Sequence, residues 1–168
     1  MTTSVKLSNI LSLSKGGNAN YKEDGKYLVY GAGKNPIGRT DEYNAENNLI
    51  IGIKGTIGSP KILSGKVYVI HTVAIVRFDD EIINREYLYN VLCNINFKYY
   101  EKPTRILELD IERFLKHQIT LPSIKAQENI NLKLKLWQDL IEPETIIQAK
   151  AMHRYYEREI FNKLGARK

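Results

Sequence analysis

The sequence predicts an α+β protein, with a β-rich globular head in residues 1–122 and a long helical, coiled-coil-like tail in residues 123–168. Two observations support this division. Before Pro122 the chain consists of short apolar runs separated by glycines, which is typical of strands joined by tight turns. After Ser123 apolar residues recur at helical spacing, and no glycine occurs before Gly165. Because a tail of this length is too short to bury its own apolar residues, we expect it to dock on another surface.

Short apolar runs in the head predict strands over residues 26–30, 49–53, 67–70, 72–78 and 118–121. The run at 49–53 has no polar face, so we expect a central strand that is buried on both sides. Between the strands, residues 7–11 predict a short helix or turn, and residues 34–48 predict a polar loop. The glycines of residues 54–60 predict a turn with positive φ or close backbone approach.

Two helices complete the predicted head. In residues 84–97 an apolar stripe at spacings i, i+3, i+4 and i+7 indicates one helix face against the core. This stripe consists of Leu88, Val91, Leu92 and Ile95. A shorter helix is predicted over residues 110–116. Its inward side chains are Ile111, Phe114 and Leu115.

The composition indicates a cytoplasmic protein that does not enter a membrane. No apolar run reaches the roughly 18 residues that a membrane span needs, and the first residues lack the apolar segment of a secretory signal. The single cysteine, Cys93, cannot form an internal disulfide, which fits a reducing compartment. Because Cys93 lies in the apolar stretch of the first helix, we expect a buried structural thiol.

The tail begins at Ser123, a predicted helix N-cap. One apolar stripe recurs at spacings of 4, 3 and 4, which suits a helix–helix seam. It consists of Ile130, Leu134, Trp137 and Ile141. A second stripe lies on roughly the opposite face and consists of Leu132, Leu136 and Leu140. Two apolar faces predict a helix sandwiched between the head and a partner. After Pro143 a second helix is predicted, with an apolar face that includes Met152, Tyr156 and Ile160.

The formal net charge is +6, which favours polyanionic partners without identifying one. Residues 1–123 contain 16 Lys and Arg against 13 Asp and Glu, and the remaining residues contain 9 against 6. Since neither part contains a block of basic residues, a nucleic-acid footprint has to be assembled by folding.

Catalytic motifs are incomplete. The segment 31–34, Gly-Ala-Gly-Lys, departs from the Walker phosphate loop, which requires glycine at Leu28 and Ser or Thr at Asn35. Three separated histidines and a lone cysteine give no zinc pattern. We therefore expect a binding protein rather than an enzyme, with no cofactor or metal of its own.

Four segments of the head occur in a recognisable order. They are Tyr27-Leu-Val-Tyr30-Gly31-Ala-Gly33, then Leu49-Ile-Ile-Gly52-Ile-Lys54-Gly55-Thr56-Ile-Gly58, then His71-Thr72, then Tyr87-Leu-Tyr89-Asn-Val-Leu92. Together they resemble a target recognition domain of the DNA specificity subunits of type I restriction–modification systems. The tail, with Leu121-Pro122-Ser123, Gln127, Ile130 and Tyr155-Tyr156, is similar to the family's conserved helical region. The resemblance covers residues 7–164 and rests on the order of the segments. The family commonly has Glu before the glutamine, where this chain has Ala126.

The resemblance implies that the head reads double-stranded DNA while other chains catalyse. Adenosylmethionine and magnesium would belong to those partners, a DNA methyltransferase subunit and a restriction subunit. A full-length family subunit carries two recognition domains and two helical regions, whereas this chain carries one of each. The resemblance therefore implies a half-subunit that forms a homodimer to read a two-part site, with a fragment of a longer subunit as an alternative. The predicted dimer or partner interface consists of Ile130, Leu134, Trp137, Ile141, Met152, Tyr156 and Ile160.

Loops of the head that combine cations with polar tips are the predicted DNA contacts. Arg39 and Arg105 are the candidates for base edges, because arginine pairs bidentately with guanine. Contacts with phosphates, which position a protein without specifying sequence, are expected from lysines. The remaining predicted contacts, lysines included, are Lys34, Asn35, Lys54, Thr56, Tyr99, Lys102 and Thr104.

Two other functions stay open at this stage. One is a mimic of the specificity subunit, which binds and redirects or inhibits a methyltransferase without reading DNA. The other is a small metal-dependent nuclease built on Asp79, Asp80 and Glu81. These three carboxylates fit a solvated turn before a helix more simply than a metal site.

Overall fold

The computed structural model of the chain describes residues 3–139, and it confirms the predicted α+β class. Along this part of the chain the elements are β1 (Thr3–Lys6), β2 (Leu11–Lys15), β3 (Tyr27–Tyr30), β4 (Pro36–Thr40), β5 (Ala45–Glu46), β6 (Leu49–Gly52), β7 (Gly58–Ile62), β8 (Lys66–Val69), β9 (Val73–Phe78), α1 (Arg85–Asn94), α2 (Ile111–Leu115), β10 (Gln118–Leu121) and α3 (Ile124–Asp139). Single 3-10 turns occur at Leu7–Asn9 and Phe97–Tyr100. Within residues 3–139, no helix is long and apolar enough to cross a membrane.

The strands form three sheets. The central sheet has the order β2-β9-β6-β7 and is antiparallel throughout. The second sheet has the order β4-β3-β8-β5, in which only β3 and β8 are parallel, and β1 pairs with β10 in a two-stranded ladder. Because β6 lies between β9 and β7, the prediction of a central strand over residues 49–53 is confirmed.

The central sheet is covered on both faces, which explains its continuous apolar strands. Leu49, Ile51 and Val76 belong to the core that the sheet forms with the helices. Their neighbours Ile50 and Ile75 belong to a smaller core shared with the second sheet. Since successive side chains of a strand point to opposite faces, a strand buried on both sides has to be apolar at every position.

The helix α1 begins where the sequence predicts. The Oδ1 atom of Asn84 accepts hydrogen bonds from the backbone amides of Glu86 (2.9 Å) and Tyr87 (3.2 Å), which is an N-cap. The predicted stripe is confirmed at Leu88, Val91 and Leu92, which are buried together with Tyr87. Ile95 is half-buried just beyond the helix end.

The expectation that Cys93 is buried is wrong, because Cys93 is exposed. Its neighbour Leu92 lies on the buried stripe, and the next residue of an α-helix is turned by about 100° from it. The apolar residues around Cys93 in the sequence therefore do not surround it in space.

Five strands lie where the sequence predicts no strand. β1 precedes the predicted elements, and residues 7–11 form a 3-10 turn that leads into β2. β4 and β5 lie inside the predicted polar loop, and β7 overlaps the predicted turn of residues 54–60. Each of the five pairs with a single neighbour and lies at a sheet edge in the described region. Edge strands need an apolar pattern on one face at most, and Pro36 begins β4 at a position that edge strands tolerate.

The helix α3 begins at the predicted change of character, since β10 ends at Leu121 and α3 begins at Ile124. Ile130 and Leu134 are buried in the same core as α1, and are 9% and 4% exposed. These two residues therefore serve the chain's own core rather than a free seam, which corrects their assignment to a partner interface. On the opposite face Leu132 and Leu136 are exposed, at 57% and 52%, and Leu140 lies outside the described residues.

The rest of the predicted interface divides in two. Trp137 continues the stripe of Ile130 and Leu134 by one turn, but is 43% exposed. Ile141, Met152, Tyr156 and Ile160, like the predicted second helix, lie outside the described residues.

A buried glutamine attaches α3 to the head. Gln127 is fully buried, and its Nε2 atom donates to the carbonyls of Pro122 (2.9 Å) and Ile82 (3.2 Å). Its Oε1 atom accepts from the backbone amide of Asn84 (2.7 Å). The side chain of Asn131 donates to Oδ1 of Asn84 (2.8 Å), so the N-cap of α1 is also a docking point for α3. Every polar atom of the Gln127 side chain thus has a partner, as burial requires.

Candidate nucleic-acid interface

Three segments with cationic residues meet at one end of the head. Residues 31–35 follow β3, residues 53–57 connect β6 to β7, and residues 102–108 precede α2. We call these three segments, with the turn Phe97–Tyr100, the basic loop end. The opposite end of the head contains the first residues of β3, β6 and β8 and the start of α1.

The first two segments are held together by close backbone approach. A Cβ atom at Gly52 would lie 2.0 Å from the carbonyl oxygen of Thr56 and 3.1 Å from the Cβ atom of Ala32. Glycine is therefore required where the turn folds back on β6. At the next glycine, Gly55, φ is +77°, a conformation that glycine adopts without strain. The prediction of close approach and positive φ in this turn is confirmed.

Lys61 also fixes the first segment. Its Nζ atom donates to the carbonyls of Ala32 (3.5 Å) and Gly33, and burial lowers the pKa of this amine. No local sequence pattern indicates this role, because the two carbonyls lie 28 or more residues away along the chain. Lys61 is a positioning residue for the segment that carries Lys34 and Asn35, both of which are exposed.

The second and third segments are joined by backbone hydrogen bonds. The amide of Gly55 donates to the carbonyl of Leu107 (2.8 Å), and the amide of Leu109 donates to the carbonyl of Ile53 (2.9 Å). Lys54 and Glu108 form an isolated antiparallel bridge at the same place. Lys54 is half-buried and Thr56 is exposed.

Residues 102–108 form a loop that is braced within itself. The amide of Lys102 donates to the carbonyl of Glu108 (2.9 Å), and their side chains form an ion pair at 3.8 Å. The hydroxyl of Thr104 donates to the carbonyl of Ile106 (2.6 Å), so this predicted DNA contact is partly engaged. Arg105 is exposed and has no hydrogen bond or ion pair to another residue in the range 3–139.

The turn that precedes this loop carries exposed and buried aromatic rings. Tyr99 is 61% exposed, whereas Tyr100 packs edge-on against Phe114 and its hydroxyl lies 2.6 Å from Nδ1 of His117. Burial raises the pKa of Tyr100 and lowers the pKa of His117. At neutral pH both groups are therefore uncharged, and the hydrogen bond between them anchors the turn that presents Tyr99.

The basic loop end carries a strong surplus of positive charge. The acidic residue of the basic loop end is Glu108, which is paired with Lys102. Its cationic residues are Lys34, Lys54, Lys98, Lys102 and Arg105, while Lys61 and Glu101 adjoin it. This arrangement offers guanidinium, ammonium, amide and hydroxyl donors to a polyanion.

The structure does not bring Arg39 to this group. Arg39 lies on β4, where its Nε atom donates to the carbonyl of Gly25 (2.6 Å) and its Nη2 atom to that of Lys26 (3.4 Å). Both carbonyls precede β3, at the end of the strand away from the loops. The expected base contact is instead a brace between β4 and the segment before β3.

The carboxylates considered for a nuclease form a turn. Oδ1 of Asp79 accepts from the amide of Glu81 (2.9 Å), and the carbonyl of Asp79 accepts from the amides of Ile82 and Ile83. Among residues 3–139, no group of three or more His, Cys, Asp or Glu side chains is arranged to hold a metal ion. Asp79 thus has a structural role in the connection to α1.

This fold, with its basic loop end and docked helix, is that of a known family. The family model of the type I restriction modification DNA specificity domain matches residues 3–150, and the chain belongs to this family. This result confirms the resemblance found in the sequence. Specificity subunits of this family are non-catalytic, and their specificity domain has no cofactor.

Solved structures of specificity subunits have the same fold. The S subunit of a type I restriction–modification system from M. genitalium matches with a TM-score of 0.73 and 19% identity, over 83% of this chain and 39% of that chain. A structure that describes complex assembly and conformational transition of the type I R-M system matches with a TM-score of 0.71 and 18% identity, over 97% of this chain and 45% of that chain. The HsdS subunit from Thermoanaerobacter tengcongensis matches with a TM-score of 0.66 and 18% identity, over 97% of this chain and 44% of that chain. No curated protein matches the chain.

The chain spans less than half the length of each of these three structures. At identities below 25%, the likeness to them concerns the fold alone.

Proposed function

We propose that the chain recognises a sequence in double-stranded DNA through the basic loop end. The observation that supports this is the meeting of three cationic segments, distant in sequence, around the backbone hydrogen bond from Gly55 to Leu107. Folding thereby assembles the positive footprint that the sequence does not contain as a block. Membership of the DNA specificity family supports DNA as the polyanion that this footprint binds.

Within this proposal the side chains have different tasks. Arg105 is exposed and without a partner in the described residues, so its guanidinium is available to a guanine edge in the major groove. Lys34, Lys54 and Lys102 contact phosphates, which orients the head on the duplex. The remaining proposed contacts are Asn35, Thr56, Tyr99 and Thr104.

We further propose that two copies of the chain act together as a homodimer of half-subunits. The exposed stripe of Leu132 and Leu136, with Trp137 beside it, supplies an apolar surface on α3 for the second copy. Two copies with opposite orientation read an inverted two-part DNA site, and the helices set the distance between its halves.

The chemistry of the assembled system lies in other chains. We propose that a DNA methyltransferase subunit binds this chain and brings adenosylmethionine, and that a restriction subunit joins the complex with its own requirement for magnesium. The present chain then selects the site, and the partners modify or cut it.

Selection from a randomised duplex library tests the DNA-binding proposal. The purified full chain is expected to enrich an inverted two-part sequence. A Lys34→Gln, Lys54→Gln double variant is expected to bind the enriched duplex much more weakly and with a smaller salt dependence, because two phosphate contacts are removed. The matched control is Lys26→Gln, Lys66→Gln, which removes the same charge from exposed lysines at the opposite end of the head. A wild-type chain that enriches no sequence, or two double variants that behave alike, would contradict the proposal.

A further inference from the structure

The loop of residues 102–108 exposes two consecutive apolar side chains beside Arg105. Ile106 is 57% exposed and Leu107 is 38% exposed. A single exposed apolar residue is ordinary on a protein surface, but these two share the tip of a loop whose other side chains are mostly polar. The tip lies inside the basic loop end rather than on a separate face.

The backbone of this tip is fixed. The carbonyl of Ile106 accepts from the hydroxyl of Thr104 (2.6 Å), and the carbonyl of Leu107 accepts from the amide of Gly55 (2.8 Å). The base of the loop is closed by the hydrogen bond from Lys102 to Glu108 (2.9 Å). With both carbonyls held, the two side chains are presented in a defined position, and little conformational entropy is lost when they contact a partner.

The surroundings of the tip select a polyanion as the partner. Arg105, Lys102 and Lys54 are its cationic neighbours, and the nearby Glu108 is already paired. On a DNA duplex, the apolar group that a branched aliphatic side chain contacts in the major groove is the C5 methyl of thymine. Arginine reads guanine in the same groove, so neighbouring residues 105 and 106 are suited to neighbouring base pairs.

We propose that Ile106 contacts a thymine C5 methyl group and specifies thymine at one position of the recognised site, with Leu107 completing the apolar contact. This inference rests on the proposed function, because it assumes that the basic loop end reads DNA. It adds an apolar base contact to an interface for which the sequence suggests only cationic and polar ones.

The first step of the test compares sequence preferences. The full-length wild-type chain and the Ile106→Ala variant each undergo selection from the same randomised duplex library. The variant is expected to lose its preference for thymine at one position of each half-site and to keep the rest of the sequence. The matched control is Ile82→Ala, since Ile82 is an isoleucine of similar exposure (43%) at the opposite end of the head. Thermal unfolding of all three proteins checks that each is folded.

The second step replaces that thymine by uracil, which lacks only the C5 methyl. The wild-type chain is expected to bind the uracil duplex about fourfold more weakly, the effect of one lost methyl contact. Ile106→Ala is expected to bind the thymine duplex roughly tenfold more weakly than the wild type. It should bind the thymine and uracil duplexes alike, because the methyl no longer has a partner.

The outcomes separate the two proposals. A wild-type chain that selects a sequence, together with an Ile106→Ala variant of unchanged preference, overturns the inference and leaves the proposed function intact. The inference is also overturned if Ile106→Ala weakens binding but uracil has no effect on the wild type, since the tip would then contact another part of the duplex. A wild-type chain that selects no sequence removes the proposed function and the inference together.

Discussion

At the residue scale, His117 links protonation to the stability of the turn that presents Tyr99. Its Nδ1 atom lies 2.6 Å from the hydroxyl of Tyr100, and burial lowers the pKa of the imidazole below its ordinary value of 6.5. The unfolded chain therefore takes up a proton at a higher pH than the folded chain does. The contribution to stability is complete above pH 6.5 and is lost as the pH falls from 6.5 towards the folded pKa.

We expect the free energy of unfolding to decrease between pH 7.5 and 5.5, by at most about 1.4 kcal/mol from this residue. Urea unfolding at the two pH values measures the change. In the variant His117→Gln this part of the pH dependence should disappear, whereas His71→Gln, at an exposed histidine, should retain it. The same pH dependence in His117→Gln and the wild type would show that another group is responsible.

A second prediction at this scale separates base reading from phosphate contact. Arg105→Ala should weaken binding to the selected duplex by about 1–3 kcal/mol and binding to a random duplex much less, because a base contact is lost. Lys54→Ala should weaken both alike and reduce the slope of log K against log salt by about 1, because a phosphate contact is lost. Titrations at several salt concentrations measure both effects. Equal losses on the two duplexes for Arg105→Ala would disprove its role as a base contact.

At the scale of elements, the docking of α3 depends on buried polar groups as well as apolar ones. Ile130 and Leu134 provide the apolar contact, and Gln127 joins the helix to Asn84, Ile82 and Pro122. Apolar contacts allow a helix to slide or rotate at small cost, whereas hydrogen bonds with buried groups are satisfied in one position only. The Gln127 contacts therefore fix the angle at which α3 leaves the head.

Replacement of Gln127 by leucine should destabilise the chain by about 3 kcal/mol. Leucine fills a similar volume, but the amide of Asn84 and two carbonyls lose their partner in buried or partly buried surroundings, at a cost of about 1–3 kcal/mol for each group. Urea unfolding measures the loss, and Glu128→Ala, at the exposed neighbour, should remain within about 0.5 kcal/mol of the wild type. A Gln127→Leu variant as stable as Glu128→Ala would mean that the contacts add little.

Elements were predictable from the sequence where burial is complete. The apolar runs of β6 and β9 and the stripe of α1 each have a clear period, and the structure confirms them. The edge strands β2 and β4 were missed, since they carry serine, glycine and arginine on their outer faces. The alternation Leu-Ser-Leu-Ser at residues 11–14 is typical of a strand and indicates β2. It overlaps the helix or turn predicted over residues 7–11, which ends where β2 begins.

The candidate site was predictable in its composition but not in its geometry. The sequence identifies Lys34, Lys54 and Arg105 as cations of glycine-rich or irregular segments, and these segments meet at one end of the head. Arg39 has the same character in the sequence but binds carbonyls elsewhere. No local pattern distinguishes the two arginines, because the partners of Arg39 are 13 and 14 residues away.

At the scale of the whole molecule, the two ends of the head differ in their charged residues. The basic loop end contrasts with the opposite end, where a cleft is lined by Glu46, Asp80 and Glu86 along with Arg77 and Arg85. A polyanion approaching the head is therefore attracted to one end, and the orientation of the complex is selected before close contact.

The homodimer proposal belongs to this scale. We expect Leu136→Glu, which places a charge in the exposed stripe of α3, to shift the full chain from a dimer to a monomer, measured as solution mass by light scattering. The matched control is Lys135→Gln, which changes the charge by the same amount at an exposed neighbour and should leave the dimer intact. A wild-type monomer, or a Leu136→Glu dimer as stable as the control, would contradict the proposed interface.

The ladder of β1 and β10 has a consequence for how this architecture can be varied. Thr3 is paired with Leu121, so the chain enters and leaves the head through adjacent strands whose Cα atoms are about 5 Å apart. The rest of the head therefore begins and ends at the same two-stranded ladder. We expect that another head with the same two strands could replace this one without changing the separation or direction of the flanking segments of the chain. Specificity and spacing can in this way change independently of one another.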